Sequence, residues 1–104
     1  MKDQSFQLLL LVFRSGFSKE ILEILDALKL PGYTEAPTVF GRGTDEPVFE
    51  SHAWPGHNSL VLSALSKEDV ARVVAALTDF TNKREKEGEH VPLRVYSIPC
   101  TQLV

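Results

Sequence analysis

The chemically most distinctive stretch of the chain is Glu50-Ser51-His52-Ala53-Trp54-Pro55-Gly56-His57. Two imidazoles in a His-x4-His arrangement, with Glu50 close by, form a donor set that suits zinc, nickel or copper. The spacing is not that of a known zinc signature. Trp54 beside Pro55-Gly56 suggests a turn that presents an amphipathic ring to a partner. The same residues fit a plainer reading, in which Trp54 packs into an interface between subunits and both histidines face solvent. A metal site on His52, His57 and Glu50, a contact with a partner or small ligand, and simple packing all stay open at this stage.

The remaining reactive side chains carry little. Asp45 and Glu46 are adjacent, and neighbouring residues of an extended chain point apart, so they make a poor acid and base pair. His90 stands alone in a loop. Cys100, the only cysteine, has no histidine near it in sequence and reads as a small apolar filler. There is no Gly-x-Ser-x-Gly elbow, no phosphate-binding Walker loop and no Cys-x-x-Cys pair. No residue is assigned a catalytic role, and the expected protein binds rather than catalyses.

Composition narrows the class further. The chain has 104 residues, 43% hydrophobic and 24% charged, a globular balance that fits one domain. The formal net charge is −3, with no basic excess to draw nucleic-acid phosphates. Lys83, Arg84 and Lys86 are interleaved with Glu85, Glu87 and Glu89, a mixed solvated run rather than a polybasic patch. The apolar run Leu8 to Phe13 is too short to cross a bilayer and lacks the layout of a signal peptide. With a single cysteine, these features point to the cytoplasm.

The elements that must position these residues are legible from periodicity. Residues 5–14 read as a strand apolar on both sides, with Phe6, Leu8, Leu10 and Val12 on one face and Leu9, Leu11 and Phe13 on the other. Ser18 is expected to cap a helix with Glu20 in its first turn and a stripe of Ile21, Ile24, Leu25 and Leu28. Pro31-Gly32 stops it. Residues 33–41 look extended, and Pro37 argues for an edge or bent strand. A loop follows, from about 42 to 57, long enough to be functional, with a short strand expected around Val48-Phe49. A second clear strand spans residues 59–65. Ser66 should cap a second helix through Ser66-x-x-Asp69, with Val70, Val73, Val74, Leu77 and Phe80 as its buried stripe. A last strand runs from Leu93 to Ile98.

The order β-α-β-β-α-β predicts an α+β, ferredoxin-like sandwich. Right-handed crossovers place both helices on one face of a four-stranded antiparallel sheet. The other face stays bare although the first strand is apolar on both faces, and Val61 and Leu65 add to the side opposite Leu60 and Leu62. Such a patch is a liability in a monomer, so the chain is expected to self-associate through its sheet.

In layout and in a few residues the chain resembles the nitrogen regulatory protein PII superfamily. The first strand leads into a helix with the Glu20-to-Leu28 stripe. The second ends in Val39-Phe40-Gly41-Arg42-Gly43, similar to the Val-x-Gly-x-Gly that opens the family's long T-loop. A Ser-capped helix, a charged turn and a strand ending at Pro99 follow. The turn Thr81-Asn82-Lys83-Arg84-Glu85-Lys86-Glu87-Gly88 keeps only Thr81 and one glycine of the family's Thr-Gly-x-x-Gly-Asp-Gly-Lys pattern, which marks a divergent member. The resemblance implies a homotrimer with effectors, typically adenine nucleotides, in clefts between subunits. It implies an effector site drawing on Gly41, Arg42, Gly43, Lys83 and Arg84. It implies that the loop bearing Glu50, His52, Trp54 and His57 docks on a partner protein, such as a transporter or efflux system. The divalent-cation tolerance family CutA shares this fold and is the second match, which keeps a metal-binding protein as the alternative. A small ferredoxin-like enzyme, with a pocket lined by Trp54 and His57, is the third reading.

Overall fold

The computed structural model describes residues 4–39, 41–42, 47–48 and 57–104. Strand β1 (Gln4–Arg14) passes through a single 3-10 turn at Ser15–Phe17 into helix α1 (Ser18–Ala27). Strand β2 (Thr34–Val39) follows, then the two-residue strands β3 (Gly41–Arg42) and β4 (Pro47–Val48). Strand β5 (Asn58–Leu65), helix α2 (Lys67–Lys86) and strand β6 (Leu93–Gln102) complete the order. The main sheet runs β2-β5-β1-β6, and every pairing in it is antiparallel. This is the expected ferredoxin-like architecture.

One sheet face carries the core. Leu9, Leu11 and Phe13 of β1 and Val61 and Leu65 of β5 pack against Ile21 and Leu25 of α1 and Val73 and Leu77 of α2. Each is at most 2% exposed, so both helices cover this face, as their apolar stripes require. Val74, placed in the buried stripe by its spacing, is 41% exposed instead. It sits on the rim of a groove between α2 and β6 lined by Leu77, Thr78, Leu93 and Val95, one step round the helix from the core-facing line.

Among the described residues, no element covers the opposite face. Register places Leu10 between Leu62 and Tyr96, Leu8 between Ala64 and Ile98, and Val12 between Leu60 and Arg94. Leu8, Leu10, Val12, Leu60 and Leu62 are only half-buried, while Tyr96 and Ile98 are 54% and 49% exposed. The bare apolar face read from alternation is therefore present.

The prolines sit where the sheet tolerates them. Pro37 lies in edge strand β2, at a register shift between Ala36 and Val39, which meets the expectation of a bent edge strand. Pro99 does not end the last strand. Strand β6 continues to Gln102, with Pro99 opposite Gln7, because β6 is the other edge and a missing ladder donor costs little there.

The helix ends differ in how they are satisfied. Ser66 accepts from the Asp69 backbone N–H at 3.1 Å, as expected. The Asp69 carboxylate does not complete the box; it accepts from Arg72 at 2.8 Å. Ser18 does not cap α1. The 3-10 turn carries the chain into helical conformation early, so Phe17 holds the N-cap position and Ser18 is already helical. Helix α1 ends before Pro31-Gly32, with Lys29 at φ 55°. Arg72 Nη2 donates to the Leu28 carbonyl at 2.7 Å, satisfying one of the carbonyls a helix leaves open.

Candidate functional site

The antiparallel path brings several sequence-predicted residues to one end of the sheet. Strand β1 ends there and α1 begins there; β2 ends and β5 begins there; α2 ends and β6 begins there. Gly41 and Arg42 leave from this end on the β3–β4 ribbon, where Gly41 pairs with Val48 and Arg42 with Pro47. Lys83 and Arg84 occupy the last turn of α2 at the same end. His57 lies just before β5, and its carbonyl accepts from the Ser15 N–H at 2.9 Å.

These two groups leave that end from different elements. Gly41 and Arg42 continue from β2, at one edge of the sheet, whereas α2 packs towards β6, at the other edge. Three strand spacings separate β2 from β6, about 14 Å. Gly43, Glu50, His52 and Trp54 lie outside the described residues. Among the described residues no three His, Cys, Asp or Glu side chains gather as a metal site would require, so His57 is not joined there by a ligand set.

The basic pair at the end of α2 is already engaged. Lys83 Nζ lies 3.2 Å from Asp79, one turn back, with both side chains mostly exposed; such a pair contributes little. Arg84 is tied more firmly. Its Nη1 donates to Glu89 Oε1 at 2.7 Å and its Nη2 to Glu20 Oε2 at 3.1 Å. Its guanidinium lies over the Phe80 ring, 5.2 Å from the centroid, a cation–π geometry. Phe80 in turn meets Phe17 edge-on, with centroids 6.5 Å apart. The Glu89 hydrogen bond raises the Arg84 pKa above its ordinary value; burial opposes the shift, and the charges of Glu89, Glu20 and Glu87 add to it. Arg84 thus stays cationic and joins the end of α2 to the first turn of α1, where Glu20 also meets the positive end of that helix.

The turn after α2 explains how Glu89 reaches Arg84. The Gly88 N–H donates to the Glu85 carbonyl and the Glu89 N–H to the Arg84 carbonyl, both at 2.9 Å. This double closure around a residue in the left-handed region is the Schellman arrangement, and Gly88, at φ 85°, supplies that residue. Glycine is favoured here because a Cβ disfavours this conformation. The closure folds Glu89 back over the turn that carries Arg84.

A second polar cluster, missed in the sequence reading, lies at the same end. Ser59 is fully buried. Its hydroxyl donates to the Pro37 carbonyl at 2.8 Å and lies 2.9 Å from Ser15 Oγ and 3.0 Å from Ser18 Oγ. Ser15 Oγ also donates to the Pro37 carbonyl at 3.1 Å. The cluster therefore ties the end of β1, the start of α1 and the bulge of β2 to the start of β5. Deeper along β5, Ser63 donates to the Gly32 carbonyl. The signal lay in the alternation of β5: Ser59 and Ser63 fall on the side of Val61 and Leu65, and a hydroxyl buried there needs a partner.

No protein-family model and no curated protein matches the chain. Solved structures do match it over nearly its whole length. It is similar to CPII, a nitrogen regulatory PII-like protein from Thiomonas intermedia K12 bound to ADP, AMP and bicarbonate. Identity is 16% and the TM-score 0.69, over 97% of this chain and 92% of that one. It is also similar to a protein from Thermus thermophilus assigned to the PII-like signalling class, at 20% identity and TM-score 0.71, covering 99% and 94% of the two chains. The apo form of CPII aligns at 15% identity and TM-score 0.63, covering 98% of each chain. The chain has the fold of the PII-like proteins, as its layout suggested.

Proposed function

We propose that this chain is a PII-like regulatory binding protein: a homo-oligomer that takes an adenine nucleotide at clefts between subunits and reports its occupancy to a partner protein through the loop at about 42–57. The observation that carries this reading is the full-length likeness of fold to CPII bound to ADP and AMP, joined to the position of the two predicted site groups. Gly41 and Arg42 leave the same end of the sheet that Lys83 and Arg84 reach, but from opposite edges. In a ring of copies, one subunit's β2 edge and its neighbour's α2–β6 edge can face each other, so a cleft between subunits would join what one subunit holds apart. The bare apolar face of Leu8, Leu10, Leu62 and Ile98 supports association through the sheet, with a homotrimer as the expected ring.

This reading gives the chain a binding role rather than a catalytic one, in keeping with the regulatory and signalling names of the structures it resembles. Among the described residues no helix is long and apolar enough to cross a membrane.

Calorimetric titration with ADP and with AMP, alongside light scattering, tests the reading. The expected result is a trimeric mass and saturable heat at one site per chain, weakened about tenfold or more by Arg42→Ala or Lys83→Ala, in keeping with charge-assisted bonds to phosphate. A monomer that takes up neither nucleotide at millimolar concentration would sink it.

A further inference from the structure

We propose that Glu89 is a built-in competitor for the Arg84 guanidinium, so that an anionic ligand reaching the end of α2 binds by exchange against this carboxylate. The inference rests on the reading above that this turn meets a nucleotide's phosphates. It adds the residue that sets how tightly and how selectively they are held.

The geometry singles out Glu89 from the other carboxylates nearby. Arg84 presents its two Nη groups to two acids, and its flat face is taken by Phe80. Glu20 belongs to the first turn of α1, and its side chain is 33% exposed. Glu89 is 47% exposed and sits just past the helix, so its side chain can swing into solvent without moving a packed element. Its contact with Arg84 is the shorter of the two, at 2.7 Å against 3.1 Å. The Schellman closure at Gly88 holds the Glu89 backbone against the Arg84 carbonyl, so the pairing is arranged in advance and costs little chain entropy.

Two consequences follow from charge. A phosphate carries more negative charge than a carboxylate and can accept two parallel bonds from a guanidinium, so a phosphorylated ligand can displace Glu89 where a weaker anion cannot. The released Glu89 carboxylate then lies free beside the bound anion and repels it, which lowers affinity relative to a turn without it. Glu85 carries the same charge in the same turn but lies 3.9 Å from His90 instead.

The test compares ADP binding by the full chain, by Glu89→Gln and by Glu85→Gln, with thermal melts to establish that all three fold. Each variant removes one negative charge from the turn; only the first removes the competitor. Glu89→Gln should bind ADP roughly two- to fivefold more tightly than the parent, the scale of an exposed ion pair, while Glu85→Gln should shift affinity clearly less. Equal tightening in both variants would mean a general field effect and would overturn the proposal. Binding by the parent with no gain in Glu89→Gln would overturn it too, while leaving the nucleotide reading intact. Absence of ADP binding in all three proteins would remove the nucleotide reading and this proposal together.

Discussion

The two faces of the main sheet are made from the same strands and treat apolar residues in opposite ways. On the helix side, Leu9, Leu11 and Phe13 are almost fully buried and share one core cluster with Ile21 and Leu25 of α1 and Val73 and Leu77 of α2. On the other side, Leu8, Leu10 and Val12, one residue out of phase along β1, are left half-buried beside exposed Tyr96 and Ile98. Polar groups divide in the same way. Ser59 and Ser63, on the helix side, are locked to backbone carbonyls, as desolvated hydroxyls must be. One face is a finished core of a single chain. The other has the composition of a core and, among the described residues, no second layer over it.

That contrast can be broken by substitution. The largest effect on the stability of the single chain should come from Leu11→Ala, which empties a fully buried position and should cost about 2–5 kcal/mol in chemical denaturation. Leu10→Glu, one residue away, should leave a folded chain but split any oligomer, seen as a fall to monomer mass in light scattering. A Leu10→Glu protein that keeps its parent's mass would show that the bare face is not the contact between copies. Next in size is Ser59→Ala, which removes the centre of the serine cluster and should cost about 1–3 kcal/mol. Hydrogen exchange should quicken mainly at Val39 and Asn58, whose pairing flanks the cluster; faster exchange spread evenly over the sheet would count against its local role. The smallest is Ser66→Ala, which removes the α2 cap and should cost about 1 kcal/mol on either measure of stability, without altering the assembly.

Much of this arrangement could be read in the chain before any coordinates. Alternation assigned Leu9, Leu11 and Phe13 to one face and Leu8, Leu10 and Val12 to the other, because a strand's side chains have a period of two whatever surrounds them. Ser66 was legible as a cap because capping depends on residues three apart. Ser18 looked the same and is not a cap, since the 3-10 turn before it makes it already helical, and its hydroxyl meets Ser59, 41 positions away, instead. Val74 matched the helical stripe and still faces a groove, because how far a helix buries its flank depends on the layer beneath it. The loop residues Glu50, His52 and Trp54 could be named from sequence, but they lie outside the described residues, so their expected roles in metal or partner binding remain open to direct titration with zinc or copper.

The candidate site shows most clearly where local pattern stops. From sequence, Lys83 and Arg84 were two cations in a run of alternating charge, and Glu20 was a carboxylate complementing a helix dipole. The fold joins Arg84 to Glu20 across 64 positions and folds Glu89 back onto the same guanidinium. The sequence by itself determined the order of the elements, the two faces of the strands and the apolar character of both faces of β1, all of which follow from backbone periodicity and short-range contacts. Only the tertiary structure decided which carboxylates neutralise Arg84, which hydroxyls fill Ser59's surroundings and which edges of the sheet carry the two halves of the candidate site. Those choices depend on residues distant in the chain, which approach one another only when the helices pack onto the sheet.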